Sequence, residues 1–186
     1  CVDVAHGHHK MMDRCLKSLK DKFPSIHVMA GNVATLERFD YLAKLGADSI
    51  RVGIGGGSIC STRIVSGHGM TTLQSIMDIS KTEYDAKIIA DGGIRTTGDM
   101  VKALAAGADF VMLGSLLAGT DESPGEVMTN SQGVQYKAYR GMASSDAQRD
   151  WRGTSSTPEG VAASVPYKGP LQFIMANIRG GLRSGF

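Results

Sequence analysis

Residues 52–62, VGIGGGSICST, set glycines at 53, 55, 56 and 57 ahead of a single cysteine, Cys60. Glycine at that density lets a backbone approach something closely, a phosphate or a cation among the candidates. A thiol at the end of such a loop is placed to act as a nucleophile, and Thr62 adds a hydroxyl two residues on. The alternative is a flexible loop around a small buried side chain. What else in the chain could share a site with Cys60 decides between the two.

Other polar residues recur at the ends of apolar runs. Asp3 and His6 go with CVDVA, Asn32 follows IHVMA, Asp91 with Gly92 and Gly93 closes KIIAD, and Gly114 with Ser115 closes FVMLG. The pairs Gly92-Gly93 and Gly114-Ser115 suit a phosphate, because small residues expose backbone N–H groups as an anion nest, although either pair alone also reads as a tight turn. Asp91, between an apolar run and two glycines, suits a ribose diol better than a core.

The elements that must position these residues are legible. Five strand-like runs lie at 1–5, 26–30, 49–53, 87–91 and 110–114. Helical patterns such as LERFDYLAKLG and GDMVKALAAG, with apolar positions three and four apart, stand between most of them. Uniformly apolar strands separated by helices predict a parallel sheet covered by helices. An internal echo, GADSIRVG at 46–53 and GADFVMLG at 107–114, repeats a two-βα unit after about 60 residues. Polar and glycine-rich residues after strand ends match the chemistry-bearing face of a (β/α)8 barrel, and no G-x-G-x-x-G opens a helix as a dinucleotide-binding sheet would require. Five strands do not close an eight-stranded barrel, so the expectation is a partial barrel over 1–186, preceded by at least three strands in a longer protein.

Composition excludes other classes. The 20 basic and 18 acidic side chains are mixed along the chain, so no basic stripe points to nucleic acid. No apolar run approaches the roughly 18 residues of a membrane span. Three cysteines, Cys1, Cys15 and Cys60, show no C-x-x-C spacing; they suit a reducing compartment, the cytoplasm by default, and Cys15 within a helical pattern reads as a packed thiol. His6, His8 and His9 lack a carboxylate or cysteine at ligand spacing, which argues against a metal cluster.

GIGGGSICSTR resembles the active-site loop of the inosine monophosphate dehydrogenase and GMP reductase family. ADGGIRTTGD, VMLGSLLAGTDESPGE, YKAYRGM and PEGVAASVPYKG resemble further segments of that family in the same order. The resemblance implies the carboxyl-terminal portion of a (β/α)8 barrel, acting as a homotetramer when full length. It implies that Cys60 attacks purine C2 while hydride passes between C2 and NAD or NADPH, with Thr62 beside C2 moving protons. Ser58, Asp91, Gly92, Gly93, Gly114, Ser115, Tyr139, Gly141, Met142 and Glu159 would hold the nucleotide, IMP, XMP or GMP. Asp3, Asn32 and Arg51 fall on the nicotinamide side, and the carbonyls of Gly55, Gly57 and Cys60 would hold potassium. The segment at about 143–160 corresponds to a mobile flap.

The resemblance leaves two reactions open. SICSTRIV, GSLLAGTDESPGE, YRGM and PEGV favour oxidation of IMP with NAD, and GMASS puts Ser145 where the typical reductase has a glutamate in GMSSE. The dehydrogenase's flap carries an Arg-Tyr pair that activates water, whereas this one reads RDWRG, leaving Arg149 or Arg152 for that task. Thr71 and Thr72 also replace the usual Pro-Gln, and some reductases spell ADGGIRT and ESPG as this chain does. The expectation is therefore an IMP dehydrogenase, with GMP reductase as the alternative and a turnover-dead nucleotide-binding barrel as a third reading.

Overall fold

The computed structural model describes residues 1–186. Two compact units are present, one of Cys1–Gly56, Gly69–Gly93 and Lys102–Met112, the other of Gly57–His68, Ile94–Val101 and Leu113–Phe186.

The first unit holds a five-stranded, all-parallel sheet in chain order: β1 (Val2–Asp3), β2 (Met29–Val33), β3 (Ser49–Val52), β4 (Lys87–Asp91) and β5 (Phe110–Met112). Helices α1 (Lys10–Lys22), α2 (Leu36–Lys44) and α4 (Thr72–Ile79) alternate with the strands and turn Met12 and Leu16, Phe39 and Leu42, and Ile76 and Ile79 into the core against Ala30, Ile50, Val52, Ile88 and Ala90. Full burial of each of these larger side chains contributes roughly 1.5–3 kcal/mol. Successive parallel strands joined by helices are the βα succession of a (β/α)8 barrel. The second strand begins at Met29, not Ile26, because Ile26 N–H turns back to the Phe23 carbonyl at 3.1 Å.

The sequence echo has a physical basis. After α2, Gly46 takes φ +96°, its N–H bonds the Ala43 carbonyl at 2.9 Å, and Ala47 N–H bonds Leu42 at 3.1 Å. Gly107 at φ +114° repeats both bonds, to Leu104 at 3.0 Å and from Ala108 to Ala103 at 3.1 Å. These are paired helix-ending bonds around a left-handed glycine. The aspartate that follows then fixes the register of the preceding strand's start: Asp48 accepts from Val28 N–H at 2.6 Å, Asp109 from Ile88 N–H at 2.8 Å. GAD is thus a helix stop joined to a strand clamp, used twice.

The second unit contains the antiparallel sheet β6 (Val127–Thr129), β7 (Gln135–Arg140) and β8 (Ala162–Pro166), with short helix α3 (Thr62–Val65), helix α6 (Ser145–Arg152) and the long α7 (Leu171–Gly185). Helix α5 (Thr97–Ala105) starts with a reciprocal cap, in which Asp99 accepts from Thr96 N–H at 3.0 Å and Thr96 Oγ1 from Asp99 N–H at 3.2 Å. A Cβ on Gly181 would collide with Thr97 and one on Gly185 with Val101, so the glycines of α7 permit close approach to α5. No helix is long and apolar enough to cross a membrane.

Candidate active site

In the first unit, four expected site residues form one polar network. Arg51 on β3 donates from Nη2 to Asp91 Oδ2 at 2.8 Å and from Nε at 3.2 Å, and its Nη1 reaches Asp3 Oδ2 at 2.8 Å. Asn32 Nδ2 donates to the same Asp91 oxygen at 2.8 Å and to the Gly53 carbonyl at 2.8 Å. Burial alone would lower the Arg51 pKa, but hydrogen bonds and charge from Asp91 and then Asp3 outweigh it and hold it above the ordinary arginine value. All donors to Asp91 converge on Oδ2, which leaves Oδ1 for a ligand such as a diol. Residues expected on two sides of a site, Asp91 for the nucleotide and Asp3, Asn32 and Arg51 for the nicotinamide, are joined by this network.

The glycines of the loop meet protein before any ligand. A Cβ on Gly53, at φ +142°, would collide with the Asp91 carbonyl oxygen, and one on Gly56 would come within 3.3 Å of the Gly92 carbonyl carbon. Gly55, Gly92 and Gly93 take φ of +80°, +92° and +82°. The sequence thus packs one glycine-rich turn directly on another.

In the second unit, Cys60 Sγ donates to Thr62 Oγ1 at 3.2 Å, and Cys60 N–H closes a turn on the Gly57 carbonyl at 3.1 Å. Segment 159–161 is stitched to this loop on one side and to 141–144 on the other. Ser61 N–H bonds the Glu159 carbonyl at 2.9 Å and Val161 N–H the Ile59 carbonyl at 3.0 Å, while Glu159 N–H bonds Ala143 at 3.2 Å and Gly141 N–H bonds Val161 at 3.3 Å. Gly141, Glu159 and the cysteine loop are therefore neighbours in space, and Met142 beside them is exposed. Gly114 lies under Tyr139, whose hydroxyl would be 2.9 Å from a Cβ there. Ser58 is exposed at the loop's crest.

The flap segment is not an irregular loop. Ser144 caps α6 by accepting from Ala147 N–H at 3.3 Å, Gly153 ends it at φ +73°, and buried Gln148 ties it down through the Ala143 carbonyl at 3.1 Å and Ser156 N–H at 2.8 Å. Arg149 and Arg152 both lie on its exposed face. Arg149 is 3.9 Å from Asp146, Arg152 stacks over Trp151 at 4.4 Å, and neither contacts Cys60 or Thr62. The remaining charge on α6, Asp150, pairs with Arg140.

One expectation about a side chain outside the loop is revised. Cys15, expected to be packed, is exposed on α1, because the helix turns Met12 and Leu16 inward and leaves position 15 outside. His9 has a structural task, capping α1 by accepting from Met11 N–H at 3.1 Å.

Sequence reasoning missed two lysines. Lys137 on β7 is buried and donates to the carbonyls of Thr120 at 2.9 Å and Ser123 at 2.5 Å. Lys168 donates to the carbonyls of Ser115 at 2.7 Å and Leu116 at 2.8 Å, and burial lowers its pKa. Lys137 sits within QYKAYR, where no apolar alternation marks it as buried; only the YKG following a proline could have drawn attention to Lys168.

Comparison with known proteins covers the segments that carry these residues. A family model described as the IMP dehydrogenase / GMP reductase domain matches residues 1–186. The chain is 50% identical over 195 residues to the inosine-5'-monophosphate dehydrogenase of Aquifex aeolicus and 46% identical over 198 residues to that of Nitrosopumilus maritimus, covering 99% of this chain in each case. It spans 40% of the first relative's length and 41% of the second's. It also superimposes with a TM-score of 0.93, at 43% identity, on a crystal structure of a cysteine-to-alanine variant of GMP reductase from Trypanosoma brucei in complex with guanosine 5'-monophosphate, covering 99% of this chain and 40% of that one. With the whole chain matched, and its cysteine loop, aspartate network and glycine turns all in place, this protein belongs to the IMP dehydrogenase / GMP reductase family.

Proposed function

We propose that the protein carrying this chain oxidises IMP to XMP with NAD and water. The observation that carries this reading is the partner of Thr62: its hydroxyl accepts from the Cys60 thiol at 3.2 Å and no carboxylate contacts it. Reduction of GMP would need an acid there to handle ammonia. Ser145 occupies the expected position, and Asp146 is exposed beside Arg149. GMP reduction with NADPH is the second reading, favoured by the likeness to the reductase structure.

In the proposed mechanism Cys60 gives up its proton toward Thr62 and its sulfur adds to purine C2. NAD, held on the side of Asp3, Asn32 and Arg51, would supply the hydride acceptor for C2. The purine is then held covalently on Cys60 until water adds at C2, sulfur departs, and XMP and a proton are released. In this reading Asp91 would offer its free oxygen to the ribose, and Ser58, Gly92, Gly93, Gly114, Ser115, Tyr139, Gly141, Met142 and Glu159 would hold the rest of the nucleotide. Asp3, Asn32 and Arg51 serve the nicotinamide side. One of Arg149 and Arg152 would help remove the proton of the attacking water, its guanidinium stabilising the hydroxide as it forms and the proton passing to solvent.

Potassium fits the donor set. The carbonyls of Gly55 and Cys60 accept no backbone hydrogen bond and that of Gly57 accepts one, so oxygen lone pairs are available to a hard cation. There it would hold the shape of the cysteine loop. A homotetramer in the cytoplasm completes the reading. The test is a paired assay of the full protein: IMP with NAD should yield NADH and XMP, and GMP with NADPH should yield nothing. The reverse result would establish the reductase.

A further inference from the structure

The turn after β5 is held by a cation that has no counterion. Lys168 Nζ donates to the Ser115 and Leu116 carbonyls at 2.7 and 2.8 Å, and forms no ion pair. Its own N–H bonds the Gly119 carbonyl at 2.8 Å, and Gly119 lies so close to Pro166 that a Cβ would collide with the Pro166 carbonyl. The carboxylates near it in sequence and space are otherwise engaged: Asp121 accepts from the Tyr167 hydroxyl at 2.5 Å and Glu122 from Leu171 N–H at 2.9 Å.

The consequence for the turn follows from peptide planarity. A carbonyl and the next residue's N–H point in opposite directions, so drawing the Ser115 oxygen toward Lys168 turns the Leu116 N–H away from it. Leu117 N–H closes the turn on the Gly114 carbonyl at 3.0 Å, but the N–H groups of Ser115 and Leu116 donate to no protein acceptor. Two free amides in front of an unneutralised ammonium make an anion-binding turn with a built-in positive charge behind it.

We propose that Lys168 is a positioning residue for the nucleotide's 5'-phosphate, fixing the free amide of Leu116 toward it, beside the free amide of Ser115, while adding charge that favours a dianion. This rests on the reading of Gly114-Ser115 as a phosphate turn. Lys137, which grips Thr120 and Ser123 in the same manner further along the segment, supplies a matched control.

The experiment measures binding of IMP and of inosine, which lacks the phosphate, to the full protein. Lys168→Met should weaken IMP binding about tenfold or more while inosine binding changes less than about twofold. Lys168→Arg, which keeps the charge and the donors, should restore most of the loss. Lys137→Met should lower the melting temperature with IMP affinity within about twofold of wild type. Should Lys168→Met fail to fold, Lys168→Gln carries the same comparison. Unchanged IMP affinity in the Lys168 variant, equal loss of IMP and inosine, or the same selective loss in Lys137→Met would overturn the role of Lys168. A wild type that prefers neither IMP nor GMP over the matching nucleoside would instead overturn the nucleotide reading itself, and the proposal with it.

Discussion

The thiol of Cys60 and the hydroxyl of Thr62 are hydrogen-bonded at 3.2 Å, two residues apart across the start of α3. Such a pair can pass a proton as the sulfur becomes nucleophilic. Cys60→Ala should therefore abolish turnover and retain nucleotide binding, and Thr62→Val should lower kcat by about a hundredfold. Because Cys15 is also exposed, general alkylation does not identify the reactive thiol. A 6-chloropurine nucleotide does: mass spectrometry should find its adduct on Cys60 alone, and Cys15→Ala should leave the rate unchanged.

A second prediction concerns the close packing of glycine turns. Gly53→Ala forces a side chain against the Asp91 carbonyl at a φ of +142° and should destabilise by about 3 kcal/mol or more. Gly67, at φ +71° with open space around its Cβ, separates backbone strain from collision; Gly67→Ala should cost only about 1–2 kcal/mol. Equal losses in thermal unfolding would show that the approach of Gly53 to Asp91 is not what demands glycine.

The five strands and their order were legible because a buried parallel strand is an unbroken apolar run, and the GAD echo marked where two helices stop. Asn32 and Asp91 stood out as candidates by following apolar runs, and Arg51 only through family resemblance. Their mutual network was not legible, since it joins three strands distant in sequence. The antiparallel sheet escaped notice for another reason. Its strands, such as β6 with every residue exposed, lack the apolar alternation that signals a half-buried strand. Helix α6 was hidden in a polar segment because only Ala147 and Gln148 are buried on it.

The pH dependence of stability should register the strand clamp at Asp48. Burial raises its pKa, but the hydrogen bonds from Lys20 and the Val28 N–H, with the Lys20 charge, outweigh this and hold it below the ordinary value of 3.8. A carboxylate depressed on folding stabilises the fold above its unfolded pKa, and that contribution is lost as pH falls below 3.8 through the folded value. Asp48→Asn should be less stable at neutral pH by about 1 kcal/mol, a modest figure because the pair is partly exposed and screened. The difference from wild type should shrink on acidification below pH 3.8, and denaturant melts in which it stays constant would contradict the assignment.

On the proposed mechanism, a flap arginine serves the hydrolysis of the covalent intermediate. Arg149 faces Asp146 across 3.9 Å, a distance that holds it weakly, whereas Arg152 is stacked on Trp151 and would have to leave the ring to reach a substrate. Arg149 is therefore the freer of the two. If it helps water lose its proton by stabilising the hydroxide, Arg149→Ala slows hydrolysis and spares hydride transfer. Rapid mixing with IMP and NAD should then give a burst of NADH close to one equivalent per site, followed by slow turnover and a nucleotide adduct on Cys60 that survives denaturation. Arg152→Ala should reach steady turnover without a burst. If Arg152→Ala gives the burst and Arg149→Ala does not, the stacked arginine swings in when the flap closes. If both variants turn over IMP as the wild type does, neither arginine activates water, and the family's hydrolytic step must be served in this chain by a group outside α6.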